Sequence, residues 1–425
     1  MQTYDFNCSL PATRNSLEIH FVKNPDVRGS LQIVWICLTT LFVCVYQVLK
    51  LNLPDPREQH AHPTTIRVLK TIGLAFLVLL APEVVLTESI FELKDARKKR
   101  KSLNEAAQDS GHPWSLIQTF YANMGGIVVK QENGNLAPVD GATLAKLIER
   151  GYISAKPPLT DTEIMDKSKD DVFSKTIAIG QILYFSIDFL ARIIQSTPTS
   201  QLELGVASTA LYSVISYILG WWKPKSIETP TVIELRQLFH GNADGPQLGA
   251  DESSDVATLL DGVPGRRLRS SGPHVRDVVT KGSLPPMDGK LGSYLRVLRH
   301  SEADDESLPM VMCCLLVSIP PGAIHVAGWN FPFPSVADTW LWRSSSIAAT
   351  AAGPAIIGLL LVAFLLDDVS EAISSFSAIV FTLTLTLTYV VARVILVVLM
   401  IRLLFYLPPQ AFHATSWSMS IPHIG

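Results

Sequence analysis

At 425 residues the chain is long enough for about two or three soluble domains. Instead, 48% of its residues are apolar and 17% charged, the mean hydropathy is +0.28, and the apolar residues are gathered in blocks, which signals repeated membrane crossing. A net charge of −3 argues against nucleic-acid binding as the main role, and the five cysteines have no spacing suited to a metal or disulfide framework.

Residues 1–29 are polar, and Asn7-Cys8-Ser9 fits the glycosylation sequon. The first apolar block begins near residue 30 after charged sequence, so it is expected to remain as a helix rather than be removed as a signal peptide. Residues 30–93 hold transmembrane helices 1 and 2: Ser30–Leu49, a Pro/His-rich link, then Thr71–Leu93. The second places Glu83 near its centre, and a carboxylate at bilayer depth costs about 2.5–3.5 kcal/mol on insertion scales. Pro82 frees a backbone carbonyl beside that acid, and both groups call for protein or water rather than lipid. The helix runs out into Lys94, Arg97, Lys98, Lys99, Arg100 and Lys101, which the positive-inside rule places in the cytosol together with the N-terminus, leaving Asn7 unmodified.

Residues 94–175 are expected to form a small cytosolic α/β cap, although a connecting loop with helical pieces fits the same residues. IVVKQENGNL has the pattern of a strand and turn, Asp140 and Gly151 bracket a short helix, and Asp161–Asp171 suits a second polar helix. Residues 176–222 hold transmembrane helices 3 and 4. The third carries Gln181, Asp188 and Arg192, the last two sharing a helical face. The fourth opens near Glu203 and ends in Trp221-Trp222-Lys223-Pro224, as a membrane boundary requires.

Residues 223–307, rich in Gly, Pro, Ser and charge, predict a largely disordered cytosolic loop. Residues 308–407 hold transmembrane helices 5 to 7, the fifth interrupted by Pro320-Pro321-Gly322 and the seventh carrying Arg393; residues 408–425 form an interfacial tail. The fold class is thus an all-α polytopic transmembrane bundle of about seven helices with a small cytosolic α/β segment and a disordered loop; broken spans 2 and 5 leave six or eight open. The default membrane is that of the endoplasmic reticulum.

Charges this deep must face one another or a wet cavity. Three acids, Glu83, Asp188 and Glu203, outnumber their cationic partners, so one can be held as a neutral acid able to donate a proton. Structural pairing, Glu83 with Arg393 and Asp188 with Arg192, is the competing expectation. His325, Trp329 and Phe331, with Arg192 and Arg393, are candidates to line a substrate site. Asp367-Asp368-Val369-Ser370-Glu371 has spacing seen in Mg²⁺ sites but lacks a second acidic motif, so no metal or cofactor is expected. Glu302-Ala303-Asp304-Asp305 lies in polar sequence that would not make it a proton donor. Common nucleotide-binding and hydrolase fingerprints are missing from the sequence.

GAIHVAGWNFPFPSVADTWLWR (Gly322–Arg343) and TSWSMSIPHI near the C-terminus resemble a large family of filamentous-fungal multi-pass membrane proteins. FYANMGGIVV, the LLAPE of Leu79–Glu83, SLQIVWICLTT, WWKP and LPPQAFHATSW extend the resemblance over most of the chain. It implies similarity to fungal terpene cyclases that act on prenylated aromatic compounds made beside polyketide and prenyltransferase enzymes. It supplies no catalytic residues to carry over.

The expected function is therefore a membrane-embedded terpene cyclase of meroterpenoid type. Its partner is a lipid-soluble prenylated molecule in the bilayer, Glu83 donates the proton, and Asp188 or Glu203 assists. A transporter or channel, or a non-catalytic organiser working through residues 240–300, remains the alternative.

Overall fold

The structure is a computed structural model and describes residues 28–53, 63–108, 111–130, 136–168, 172–234, 307–365 and 371–413. Asn7, Cys8, Glu302–Asp305, Asp367–Ser370 and the segment 240–300 lie outside the described residues.

Helices α1 (Ser30–Val48), α2 (Pro63–Leu80) and α3 (Pro82–Ala106) come first. A cap follows with α4 (Leu116–Asn123), β1 (Ile127–Lys130), β2 (Leu136–Pro138), α5 (Gly141–Glu149) and α6 (Asp161–Lys167). Then come α7 (Val172–Ile194), α8 (Gln201–Leu219) and strand β3 (Thr231–Glu234). The rest is α9 (Ser307–Ser318), α10 (Pro320–Val326), α11 (Val336–Leu365) and α12 (Glu371–Leu403), closed by short 3₁₀ turns at Leu404–Tyr406 and Pro409–Phe412.

Among the described residues four helical stretches are long and apolar enough to cross a membrane: Ser30–Val48, Phe173–Ile194, Gln201–Leu219 and Val380–Tyr406; the bent pair α2–α3 makes a fifth if it counts as one span. Their outward faces are greasy. Leu31, Trp35, Leu38 and Phe42 on α1, Leu183 and Leu190 on α7, and Leu383, Leu387 and Val398 on α12 are all exposed. A continuous apolar exterior of this kind is what lipid, rather than water, allows.

α1 and α8 run parallel, side by side. At one end Arg28 meets Glu203, and at the other the Lys50 ammonium donates to the Gly220 carbonyl at 2.6 Å, while the Leu53 amide donates to Met124 in the cap at 2.9 Å. α7 runs the opposite way and is tied midway to α1 by the Gln181 amide, which donates to Thr39 and Thr40. Tyr212 on α8 donates to the Val317 carbonyl of α9 at 2.7 Å. α11 and α12 form an antiparallel hairpin whose ends are joined by Arg402 and Asp338 at 3.1 Å.

These directions bear on two expectations. Thr71–Leu93 is bent, because the chain turns by 110° between Leu80 and Pro82, as in a broken span or a re-entrant loop. Pro82 supplies no N–H to continue the helix and instead starts a new one. α1 begins at the end of the bundle opposite the cap, where Arg28 meets Glu203, and ends beside the cap, where the Leu53 amide donates to Met124.

The cap is a three-stranded sheet, β2–β1–β3, with β1 antiparallel to β2 and parallel to β3. Ile127, Val129, Leu144, Leu147, Ile164 and Trp114 are buried in its core with Leu103 of α3. Its helices begin where side chains can take the first free amides: Ser115 with Gln118 and Thr160 with Glu163 form capping boxes, and Asp140 accepts from Thr143. Gly151, at φ 75°, ends α5 in the left-handed turn that a side chain disfavours. The second polar helix stops at Lys167, short of Asp171. β3 falls inside the stretch read as a loop from residue 223; a four-residue strand is recognisable only through its long-range parallel partner.

Two outcomes follow. Gly322→Ala should lower the thermal midpoint of the purified protein, because a Cβ there overlaps the backbone of Thr350 on α11, and such overpacking costs about 1–3 kcal/mol. Burial pushes the Asp140 carboxyl up, but Lys99 and the Thr143 amide outweigh it and hold it below the usual carboxylate range. A depressed carboxyl contributes stability above its unfolded value and loses it as pH falls through the folded one. Acid should therefore speed hydrogen exchange along α5, and Asp140→Ala should give that faster exchange already at neutral pH.

Candidate functional site

Two buried polar clusters stand within the bundle, one at the end away from the cap and one at mid-depth. The first grows from the start of α8, where Ser200 and Glu203 form a capping box. Glu203 Oε2 accepts the Ser200 amide at 2.7 Å and its hydroxyl at 2.9 Å. The same carboxylate receives Arg28 in a fork, Nη1 at 2.5 Å and Nη2 at 3.1 Å. Asp188 lies 3.9 Å from that guanidinium and takes Arg192 Nε at 3.1 Å, and Arg192 Nε is 4.0 Å from Glu203.

The two arginines then reach past α12. Arg28 donates to the Ala411 carbonyl and Arg192 to the His413 carbonyl, at 2.9 and 2.7 Å. Two cations and two carboxylates cancel, so the expected Asp188–Arg192 pair is present inside a larger network. Glu203 is surrounded by donors, and its geometry is that of a helix cap and a counter-ion.

The second cluster sits at the α2–α3 break. Glu83 is in the first turn of α3, 8% exposed, and accepts a hydrogen bond from the Tyr389 hydroxyl on α12. Its other oxygen, Oε2, is buried without a partner. The break frees the Leu80 carbonyl, which accepts from Tyr389 at 3.1 Å and from Arg393 Nε at 2.5 Å. Arg393 is therefore held by backbone rather than paired with Glu83, which corrects that expected ion pair; it remains close enough to act on the acid electrostatically. Tyr212 of α8 lies in the same field.

His325 stands between the two clusters. Its Nδ1 is 2.6 Å from the Pro321 carbonyl, its own carbonyl accepts from Trp342 Nε1 at 3.1 Å, and Nε2 points toward Gly205. A carbonyl only accepts, so Nδ1 carries a proton and a neutral ring keeps its lone pair on Nε2.

The remaining candidates are engaged elsewhere. Arg343 covers the Trp329 ring, its guanidinium carbon 4.8 Å from the centroid, and donates to the Trp329 carbonyl. Phe331 packs with Leu204 and Trp342. Leu204 and Tyr212 are separated by about 12 Å of helix, so these aromatics stand well away from Glu83. A groove of about 460 Å³ lies between α1 and α7, lined by Trp35, Leu38, Phe42, Val43, Ile177 and the Thr39–Gln181 pair, and the three acids do not line it.

Thus the structure joins Asp188, Arg192 and Glu203, brings Glu83 near Arg393, and keeps the groups apart. Tyr389, Tyr212 and Arg28 went unrecognised in the sequence. Tyr389 stands four residues before Arg393, a shared helical face, and Arg28 immediately precedes the first span; both spacings were readable. Among the described residues no grouping of His, Cys, Asp and Glu has the arrangement of a metal site.

Comparison with known families finds one match, a family of unknown function (DUF8562), over residues 1–239. That range supplies Glu83 and the four charged side chains of the first cluster, while Tyr389, Arg393 and His325 lie beyond it. No curated protein and no solved structure matches the chain.

The first cluster should behave as a structural lock. Arg28→Met leaves a buried carboxylate short of its cation and should cost about 3–5 kcal/mol, seen as a lost thermal transition or reduced yield of folded protein. Arg28→Met combined with Glu203→Leu should be less damaging than the two single losses added together.

Proposed function

The chain belongs to the family of unknown function (DUF8562) that its residues 1–239 match, and from that premise we propose that it is a membrane-embedded enzyme, a terpene cyclase for a prenylated, lipid-soluble intermediate of meroterpenoid type. The observation that carries this reading is the Glu83 carboxyl: buried, anchored through one oxygen by Tyr389, and without a hydrogen-bond partner at the other. A farnesyl-like chain already partitions into the bilayer, so the substrate would need no aqueous route. The resemblance to fungal multi-pass cyclases of prenylated aromatics points the same way.

In the proposed reaction Glu83 gives its proton to a terminal olefin or epoxide of the substrate, the chain closes through carbocations, and the carboxylate takes back the proton lost in the final elimination. Substrate and product are then isomers, and no cofactor is consumed. Tyr389 orients the acid, and Arg393, held by the Leu80 carbonyl, steadies the carboxylate between the two proton transfers. Asp188 and Glu203, the partners expected from sequence, have no part in this scheme. Trp329 and Phe331 likewise are not needed, and the Tyr389 and Tyr212 rings are the aromatic faces beside the acid.

The accompanying topology has α1, α7, α8, the broken pair α9–α10, α11 and α12 crossing the bilayer and α2–α3 re-entering from the cap side. The cap faces the cytosol because the basic end of α3 does, and the endoplasmic reticulum is the host membrane.

One feature favours a second reading, a transporter or channel: discontinuous helices that meet at mid-membrane beside a charge are how many carriers build their sites. Expression of Glu83→Gln in a producing host separates the two. The cyclase reading expects cyclised product to fall by about 10²-fold or more, with the uncyclised precursor accumulating and protein level unchanged, and Tyr389→Phe to give a smaller loss. Undiminished cyclised product would end the reading, and altered export of a chemically unchanged metabolite would replace it with transport.

A further inference from the structure

The end of α3 that leaves the bundle presents a line of exposed positive charge. Lys94, Arg97, Lys98 and Lys101 are all exposed and stand at the i, i+3, i+4 and i+7 positions of one helical face, with Arg100 exposed beside them. The opposite face is spent on the cap: Leu93, Ala96 and Leu103 are buried, and Lys99 reaches Asp140 at 3.0 Å. Two of the described acids on α3 are engaged with lysines. Asp95 is bridged to Lys99 at 2.7 Å, and Glu105 stands 3.9 Å from Lys101.

The depth of the stripe is fixed by its neighbours. Lys223 binds Glu92 at 2.9 Å, just after the exposed Trp221 and Trp222 that end α8. Lys175 lies over the Trp221 ring and Lys225 over the Tyr46 ring, at 5.5 and 3.2 Å. A ring of tryptophan, tyrosine and lysine at one level marks a membrane–water boundary. Lys94 is two residues beyond Glu92, so the stripe begins at that boundary. It climbs about 10 Å from Lys94 to Lys101, the depth of a headgroup layer plus the reach of a charged leaflet's potential.

We propose that this face of α3 is a binding site for the headgroups of anionic phospholipids in the leaflet on the cap side. Clustered lysines and arginines at the mouth of a membrane helix draw acidic lipid out of the bulk mixture, and the four aligned side chains here present a ridge to the leaflet. A soluble acidic peptide or nucleic acid would have to compete for that ridge with headgroups already packed around it. The site is independent of the chemistry assigned to Glu83.

The test uses the full chain in nanodiscs of phosphatidylcholine and phosphatidylserine, reading energy transfer from the protein's tryptophans to dansyl-labelled phosphatidylserine or phosphatidylcholine. The wild type should prefer the serine lipid, and about 1 M salt should collapse that preference, because the screening length there is about 3 Å. K94Q/R97Q/K98Q/K101Q should lose about tenfold of the preference. K94R/K98R/K101R, which keeps the charge, should retain it, as should K130Q/K146Q/R150Q/K156Q, which removes the same charge elsewhere on the cap. Equal transfer to both lipids in the wild type, or undiminished preference in the stripe variant, would overturn the proposal. So would displacement of the labelled serine lipid by millimolar glycerophosphoserine or inorganic phosphate, which would make the site a pocket for soluble anions. Should the stripe variant fail to fold, the salt series and the arginine variant still decide.

Discussion

Arg28 sits where water cannot neutralise it, and much of the bundle's arrangement can be traced to how it is neutralised instead. A buried guanidinium needs acceptors on several sides. Glu203 supplies two from the start of α8, Asp188 adds charge from the end of α7, and the carbonyls after α12 complete the set. Because Arg28 is two residues before the start of α1 and Glu203 is in the first turn of α8, satisfying the pair makes those helices start at the same end and run together. That parallel start requires an odd number of traverses of the bundle between α1 and α8, and α7, with the α2–α3 pair bent by 110°, supplies one.

The break at Leu80–Pro82 is the second consequence of polar groups placed in lipid. A helix interrupted there must find donors for a stranded carbonyl, and α12 provides two, Tyr389 and Arg393. The same two side chains serve the Glu83 carboxyl, one by hydrogen bond and one by field. Backbone repair and acid positioning are thus one arrangement. It also explains why an arginine four residues from a tyrosine belongs on α12, a helix otherwise built of apolar residues and threonine over Val380–Met400.

Much of this was legible in the residues. The apolar blocks, the basic exit of α3, the N-cap at Asp140 and the stop at Gly151 are local signals, and local physics decides them. Ser200-x-x-Glu203 was equally local: it is a capping box by spacing alone, and reading it so would have removed Glu203 from the list of proton donors. The features that escaped are non-local. Nothing within Thr231–Glu234 announces a strand until β1 lies beside it. The turn at Ala81 is written in Pro82, but its angle is set by what α1, α8 and α12 leave open. Tyr389 looks like one more aromatic in a long apolar run until Glu83 is brought across from another helix.

The link between Arg28 and the Ala411 carbonyl joins positions separated by 383 residues. Synthesis at about 5–20 residues per second sets roughly 20–80 s between the appearance of that arginine and of its last acceptor. Through that interval the arginine before the first helix has its charge only partly answered. Maturation of the bundle therefore includes a closing step in which residues made after α12 latch onto those that precede α1.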